Sequence, residues 1–253
     1  MLTVLAHAAG LDLQLDQVKK DLGPEAVEIT VMEPHMKCGD VDCTITYVGI
    51  PLGRLMQYYF PDVWDGFTGF IHFSASDGYL ASVNADKARK HDAFLVFERA
   101  DGRPFVIDNE RQNEKNLPLG PFYLVWDNLR NPELQKQGAY GWPYQVVRIE
   151  LLPTSAYDKL LSVTASPAVR EGFEGWKSYC MSCHHIDGVG GMKCPADLRQ
   201  LVHGKSREDL RAWISAPASV RAGTNMPPLN VNLDRQERSQ VIERIIDYLE
   251  TLR

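Results

Sequence analysis

The sequence predicts an α+β protein in which a mainly β body is followed by an all-α carboxy-terminal part. Three observations carry that expectation. Between residues 27 and 152, short alternating runs rich in β-branched and aromatic side chains recur between turn residues, as half-buried strands require. Beyond residue 155 the apolar period lengthens from two to between three and four, which gathers apolar side chains on one face of a helix. The charge divides at the same place: 12 Lys and Arg stand against 11 Asp and Glu in residues 161–253, and 15 against 22 in the rest. With 253 residues, the chain is at the size where one core stops growing and two domains become the usual solution. The expected division is an amino-terminal segment over 1–26, a β-rich domain over 27–155 and a helical domain over 156–253.

Residues 1–9 are apolar and include Ala6-His7-Ala8, the small-x-small form of a signal-peptidase site, although no basic residue precedes it. This segment reads either as the remnant of an export signal or as an ordinary chain end. Strands are expected over 27–32, 43–48, 68–74, 93–99, 120–126 and 144–152. The breaks between them hold Asp77-Gly78, Asp101-Gly102 and the stretch from Asn128 to Pro132, where short polar side chains, glycine and proline favour turns. Ser166-Pro167 supplies an N-cap and a first-turn proline for a helix on which Val169, Phe173, Trp176 and Cys180 share a face. Ser206 with Asp209 opens a second helix carrying Leu210, Trp213 and Ile214. Asp234 with Glu237 opens the last, with a stripe of Val241, Ile242, Ile245, Ile246, Leu249 and Leu252.

Composition excludes several classes of function. Hydrophobic residues at 44% and charged residues at 24% describe a folded chain. The net charge of -6 and the lack of a dense basic run argue against a nucleic-acid partner. No run of about 18 apolar residues is present, so the sequence holds no membrane-spanning segment. Nothing has the pattern of a Ser/His/Asp set, a phosphate-cradling glycine loop or paired catalytic carboxylates. Tyr58-Tyr59-Phe60 and Trp142-Pro143-Tyr144 read as packing, His72 and His91 as structural or solvated histidines, and 86–90 as a charged face in water.

Chemistry concentrates in Cys180-Met181-Ser182-Cys183-His184. Two thiols three residues apart reach the two vinyl groups of one haem, and the next imidazole lies beneath its iron. A zinc half-site would need further Cys or His ligands, of which Cys194, His185 and His203 are at hand, and no second CxxC exists. A redox dithiol would need a βαβ setting. The best candidate for the opposite axial ligand is Met226 in Thr224-Asn225-Met226-Pro227-Pro228, 42 residues after His184, because paired prolines impose an extended, stiffened loop. His203 is next. Met192 follows His184 too closely, and His185 adjoins it.

These residues resemble class I c-type cytochromes over about 167–253: the CxxCH, the Met-Pro-Pro loop and a terminal Ile246-Asp247-Tyr248-Leu249 come in that order. The resemblance implies an all-α cytochrome c domain with one haem c, held by Cys180 and Cys183 and ligated through its iron by His184 and Met226. It also implies single-electron transfer with redox partner proteins, such as a dehydrogenase, another cytochrome or an oxidase, and a periplasmic location. The first and last helices would cross, with Gly172 and Trp176 against Tyr248. Cys194-Pro195 stands where the family usually has Gly-Pro.

Residues 47–56, Asp77-Gly78-Tyr79 and 120–125 resemble the oxidoreductase molybdopterin-binding fold of the sulfite oxidase family, over about 27–152. There a cysteine ligates molybdenum about a dozen residues before a Gly-x-Pro-Leu segment, and Cys38, eleven residues before Gly49, falls near that place. Its surroundings are acidic and lack the expected arginine segment. The expectation is therefore a sulfite-oxidase-like domain without the cofactor, acting in partner recognition, in an electron carrier or electron-transfer subunit rather than a stand-alone catalyst. The alternative is a molybdopterin-dependent oxidoreductase with molybdenum at Cys38 and the haem as its relay. A copper or other metal site on His35, Met36, Cys38 or Cys43 is a further reading, as is a small-loop disulfide between Cys38 and Cys43. A haem-based sensor would require an open sixth position.

Overall fold

The computed structural model describes residues 9–39, 41–109 and 112–253. Ala6-His7-Ala8, read above as an export-signal remnant, lies outside the described residues. Two four-stranded antiparallel sheets dominate the molecule. The first runs β1 (Ala9–Asp12), β10 (Val146–Pro153), β4 (Gly69–Ala75), β5 (Leu80–Asn84) in spatial order. The second runs β2 (Val27–Cys38), β3 (Val41–Pro51), β6 (Ala93–Arg99), β9 (Tyr123–Trp126). A separate ribbon pairs β7 (Val106–Asn109) with β8 (Glu114–Pro118).

Alternation explains which sides face inward. Val31, Glu33 and His35 on β2 and Cys43, Ile45 and Tyr47 on β3 are buried, while the residues between them are half-buried or exposed. The core of this body is aromatic, with Tyr47, Phe73, Phe122, Tyr123 and Trp126 fully buried. Each contributes about 1.5–3 kcal/mol of transfer free energy before ordering costs. Of the residues read as packing or surface, Phe60, Trp142 and Tyr144 are buried and Tyr58 is exposed. His72 is buried against the hydroxyl of Tyr157, and His91 is buried beside Asn131.

Four helices lie between the strands of this body: α1 (Leu15–Leu22), α2 (Leu52–Tyr59), α3 (Pro61–Trp64) and α4 (Ala85–Lys90). The later part contains α5 (Pro167–Tyr179), α6 (Leu198–Val202), α7 (Arg207–Ser215), α8 (Pro217–Val220) and α9 (Arg235–Glu250). The expected caps are present. Ser166 accepts from the Val169 amide at 3.3 Å, Ser206 and Asp209 form a capping box, and Asp234 accepts from the Glu237 amide at 2.8 Å.

The fold class requires a correction. The chain is mixed α/β, a sheet-dominated body with scattered short helices, and not a β domain followed by an all-α cytochrome domain. Helices are interleaved with the strands of the first body, and the later part holds a β-ribbon, β11 (His185–Ile186) with β12 (Val189–Gly190). The physical reason lies in the segment after α5. Asp187, Gly188 and Gly190 have positive φ values of 51°, 75° and 123°, which an α-helix does not accommodate. Backbone groups there pair with the first body instead: the Leu80 amide donates to Ser182 O at 2.9 Å and the Met192 amide to Gly78 O at 2.7 Å.

Apolar side chains gather into two clusters, one within residues 13–151 and one within 157–252. Phe70 of β4 packs into the second, with its ring 4.9 Å from that of Tyr157. In the second cluster α5 crosses α9 at Gly172, where an added Cβ would stand 1.8 Å from Arg244 O. Only glycine permits that approach, and it brings the Phe173 and Trp176 rings within 5.2 and 6.0 Å of Tyr248.

Candidate functional site

The Cys180 turn grows out of the end of α5. Cys180 caps the helix through its amide to Trp176 O at 2.8 Å, and the chain then tightens. Cys183 and His184 both donate to Cys180 O, at 3.1 and 3.0 Å, so one carbonyl fixes both cysteines and the histidine in a single turn. The return strand closes over it, with the Gly191 amide on Met181 O at 2.7 Å and the Cys194 amide on Cys183 O at 2.9 Å. This crossing is too close for side chains: a Cβ at Gly190 would lie 2.3 Å from His184 O, and one at Gly191 2.0 Å from Ser182 O.

Cys180, Cys183 and Cys194 carry free thiols. Burial, with Cys183 as the second cause, pushes Cys180 up to about 12. Burial likewise pushes Cys183 up to about 12, with Lys193 opposing and Asp77 adding. Both are therefore neutral thiols at neutral pH. Burial, and then the neighbouring His185, lowers the pKa of His184, which favours a neutral imidazole with a lone pair to give. The Nδ1 atom of His184 is buried without a hydrogen-bond partner. Cys38, the proposed molybdenum ligand, is joined to Cys43 by a disulfide. No thiolate is left there for a metal. The described residues contain no group of three or more His, Cys, Asp or Glu that could hold a metal ion.

Met226 sits half-buried in a loop fastened at both ends. Its amide donates to Thr224 Oγ1 at 3.2 Å, and Asn113 donates to Thr224 O at 3.1 Å. Downstream the Leu229 amide meets Ile214 O at 2.9 Å, and buried Asn230 donates to Lys136 O at 2.9 Å. The other distal candidates are placed differently. His203 is exposed at the end of α6 and Met192 is exposed, while His185 is buried with Nε2 3.2 Å from Pro195 O and Nδ1 3.4 Å from Asp197.

Several residues of the site have no signature in the sequence. Tyr140 is half-buried and bonds the backbone of Asn230 beyond the Met226 loop, and Cys180 acts on its hydroxyl electrostatically. Its ring meets Tyr179 edge-on at 4.9 Å. Tyr79 bonds Ser182 from the β4–β5 turn, and Lys193 reaches Asp77, Glu114 and Tyr144. Asp77-Gly78-Tyr79 was legible as a turn and as part of the sulfite oxidase resemblance, and not as a neighbour of the cysteine turn.

A 68-residue stretch, 27% of this chain, is 35% identical to cytochrome c55X of Stutzerimonas stutzeri. The chain spans 57% of that relative's length. The match supports a cytochrome c domain in this chain. No family profile matches the chain. No helix among the described residues is long and apolar enough to cross a membrane.

Proposed function

We propose that the protein is a periplasmic single-electron carrier with one haem c, bound covalently through Cys180 and Cys183 and ligated axially by His184 and Met226, and that residues 27–155 recognise its redox partners. The observation that carries this reading is the Cys180 turn: two free thiols and a histidine, all fixed by one carbonyl, with the histidine's Nδ1 buried and unpartnered. The residues fit the group. Two reduced thiols three residues apart are what thioether attachment to two vinyl groups consumes, and a neutral imidazole is the form that binds iron. When bound, the haem supplies a reversible one-electron couple whose potential a thioether ligand raises. Thr224 and the two prolines hold the backbone at Met226 in a stiff loop.

Molybdenum at Cys38 does not fit, because Cys43 occupies its sulfur. The carrier reading is tested on purified protein by haem staining after denaturing electrophoresis and by elemental analysis. Haem should stay with the chain, iron should be equimolar with it, and the double variant Cys180→Ala with Cys183→Ala should carry none. A wild-type chain that loses its haem on the gel overturns the reading. Periplasmic location is tested by fractionation against a cytoplasmic marker.

A further inference from the structure

We propose that Lys193, Asp77 and Glu114 form an ionic clasp that seats the cysteine turn on the first body and sets the electrostatic potential at the haem iron. This rests on the carrier reading above. Lys193 follows β12 and the glycine crossing. Its Nζ lies 2.8 Å from Asp77 of the β4–β5 turn, 3.5 Å from Glu114 of β8 and 3.5 Å from the Tyr144 hydroxyl, which itself donates to Glu114 at 3.1 Å. Three segments far apart in sequence thus meet at one ammonium. The Lys193, Asp77 and Glu114 side chains are only 18%, 26% and 20% exposed, so water screens them poorly and their field reaches further than that of surface charges.

The backbone makes the same junction rigid. The Leu80–Ser182 and Met192–Gly78 hydrogen bonds lock the β4–β5 turn to both arms of the cysteine turn. Gly78 has φ +86°, and a Cβ there would stand 2.9 Å from Met192 C and 3.0 Å from Lys193 N. The charges of Lys193, Asp77 and Glu114 all act on the Cys183 thiol, which on the carrier reading would tether the haem. These three are positioning residues, since none needs to touch the iron. Oxidised iron carries one more positive charge than reduced iron, so a nearby cation favours the reduced state and a nearby carboxylate the oxidised state.

The test is a spectroelectrochemical titration of intact holoprotein. Asp77→Asn and Glu114→Gln should raise the midpoint potential, Lys193→Met should lower it, and Lys193→Arg should leave it close to wild type. Opening the haem to water lowers the potential, so an upward shift in Asp77→Asn is not produced by loosening and decides the matter even if Lys193→Met fails to accumulate. Potentials that do not move, or that fall in Asp77→Asn, overturn the clasp. Haem staining on the same samples separates the two ideas. A wild-type chain without covalent haem removes the carrier reading itself, whereas haem-loaded variants with unshifted potentials remove only the clasp.

Discussion

Gly172→Ala adds a single methyl group where α5 crosses α9, and its cost can be worked from the contact. The new Cβ would stand 1.8 Å from the Arg244 carbonyl oxygen, 2.7 Å from its carbon and 2.9 Å from Tyr248 Cβ, where ordinary contact begins at 3.4 Å. Two of these three atoms are helix backbone, so no rotamer change relieves the clash. The helices must part by roughly 1.5 Å, which forfeits much of the dispersion energy between facing side chains. Those side chains include fully buried Trp176, Ile245 and Tyr248. Overpacking costs about 1–3 kcal/mol and more where backbone must move, so ~3 kcal/mol is expected. That is a large share of the roughly 5–15 kcal/mol that holds a domain folded. Urea unfolding of the holoprotein, followed by far-UV circular dichroism, should show the midpoint falling by about 1–3 M at unchanged slope. Gly175→Ala is the control, since its Cβ meets only Ile245 Cγ1 at 2.8 Å and Cδ1 at 3.3 Å among its close contacts. A flexible side-chain end can turn aside, for less than about 1.5 kcal/mol. A Gly172→Ala midpoint indistinguishable from the parent, or equal costs in the two variants, would refute this account of the crossing.

Three further outcomes are expected. Met226→Ala should abolish the red-region methionine-to-iron charge-transfer band and lower the potential, and an unchanged spectrum would assign the distal role elsewhere, with His203 next. Glu33 is fully buried and accepts from Tyr47 at 2.8 Å, Tyr123 at 3.0 Å and the His35 amide at 3.1 Å, with His35 Nδ1 at 2.7 Å. Burial alone would raise its pKa, but His35 and Tyr47 together hold it below the usual carboxylate range. Its stabilisation is thus present above the unfolded value of about 4.3 and is lost as pH falls below it. Glu33→Gln should cost about 2–3 kcal/mol at neutral pH and flatten the acid limb of the stability profile, and an unaltered acid limb would remove Glu33 as its source. Burial lowers His72 from 6.5 to about 4, so the unfolded chain takes up the proton first and stability falls as pH drops through that window. His72→Gln should remove that slope, worth up to ~3 kcal/mol, as read from urea midpoints across the range; a slope equal to wild type would place its origin elsewhere.

Strands with strong alternation were legible in the sequence, because the side chains that bury them are local. All six expected runs lie within β2, β3, β4, β6, β9 and β10 or overlap them. β1 and β8 were not legible: four residues in one case, and the run Glu-Lys-Asn-Leu-Pro in the other, have no period of their own and are strands because β10 and β7 pair with them. α1 buries only Val18 and Leu22, too little signal for a periodic reading. The all-α expectation failed between Cys180 and Asp197, where positive-φ positions and bonds to the β4–β5 turn override helical continuation. The cysteine turn stood out because five consecutive residues, Cys180 to His184, carry its pattern. Its surroundings were not, since Tyr79, Glu114 and Tyr140 come to it from 40 to 101 residues away by chain, and nothing local announces that.

That distance changes how the first body is to be understood. A recognition domain joined by a free linker would move independently of the cysteine turn, and its only effect on electron transfer would be to raise the local concentration of a partner. Here the β4–β5 turn bonds both arms of the cysteine turn, Asn113 holds Thr224 beside Met226, and Lys136 and Tyr140 hold Asn230 on the far side of the same loop. Four attachments from the first body therefore bracket both proposed axial positions. A partner docking on that body would press on elements in direct hydrogen-bonded contact with the site. The β4–β5 turn and Asn113 are joined to the cysteine turn and the Met226 loop by hydrogen bonds rather than set apart from them by an interdomain gap.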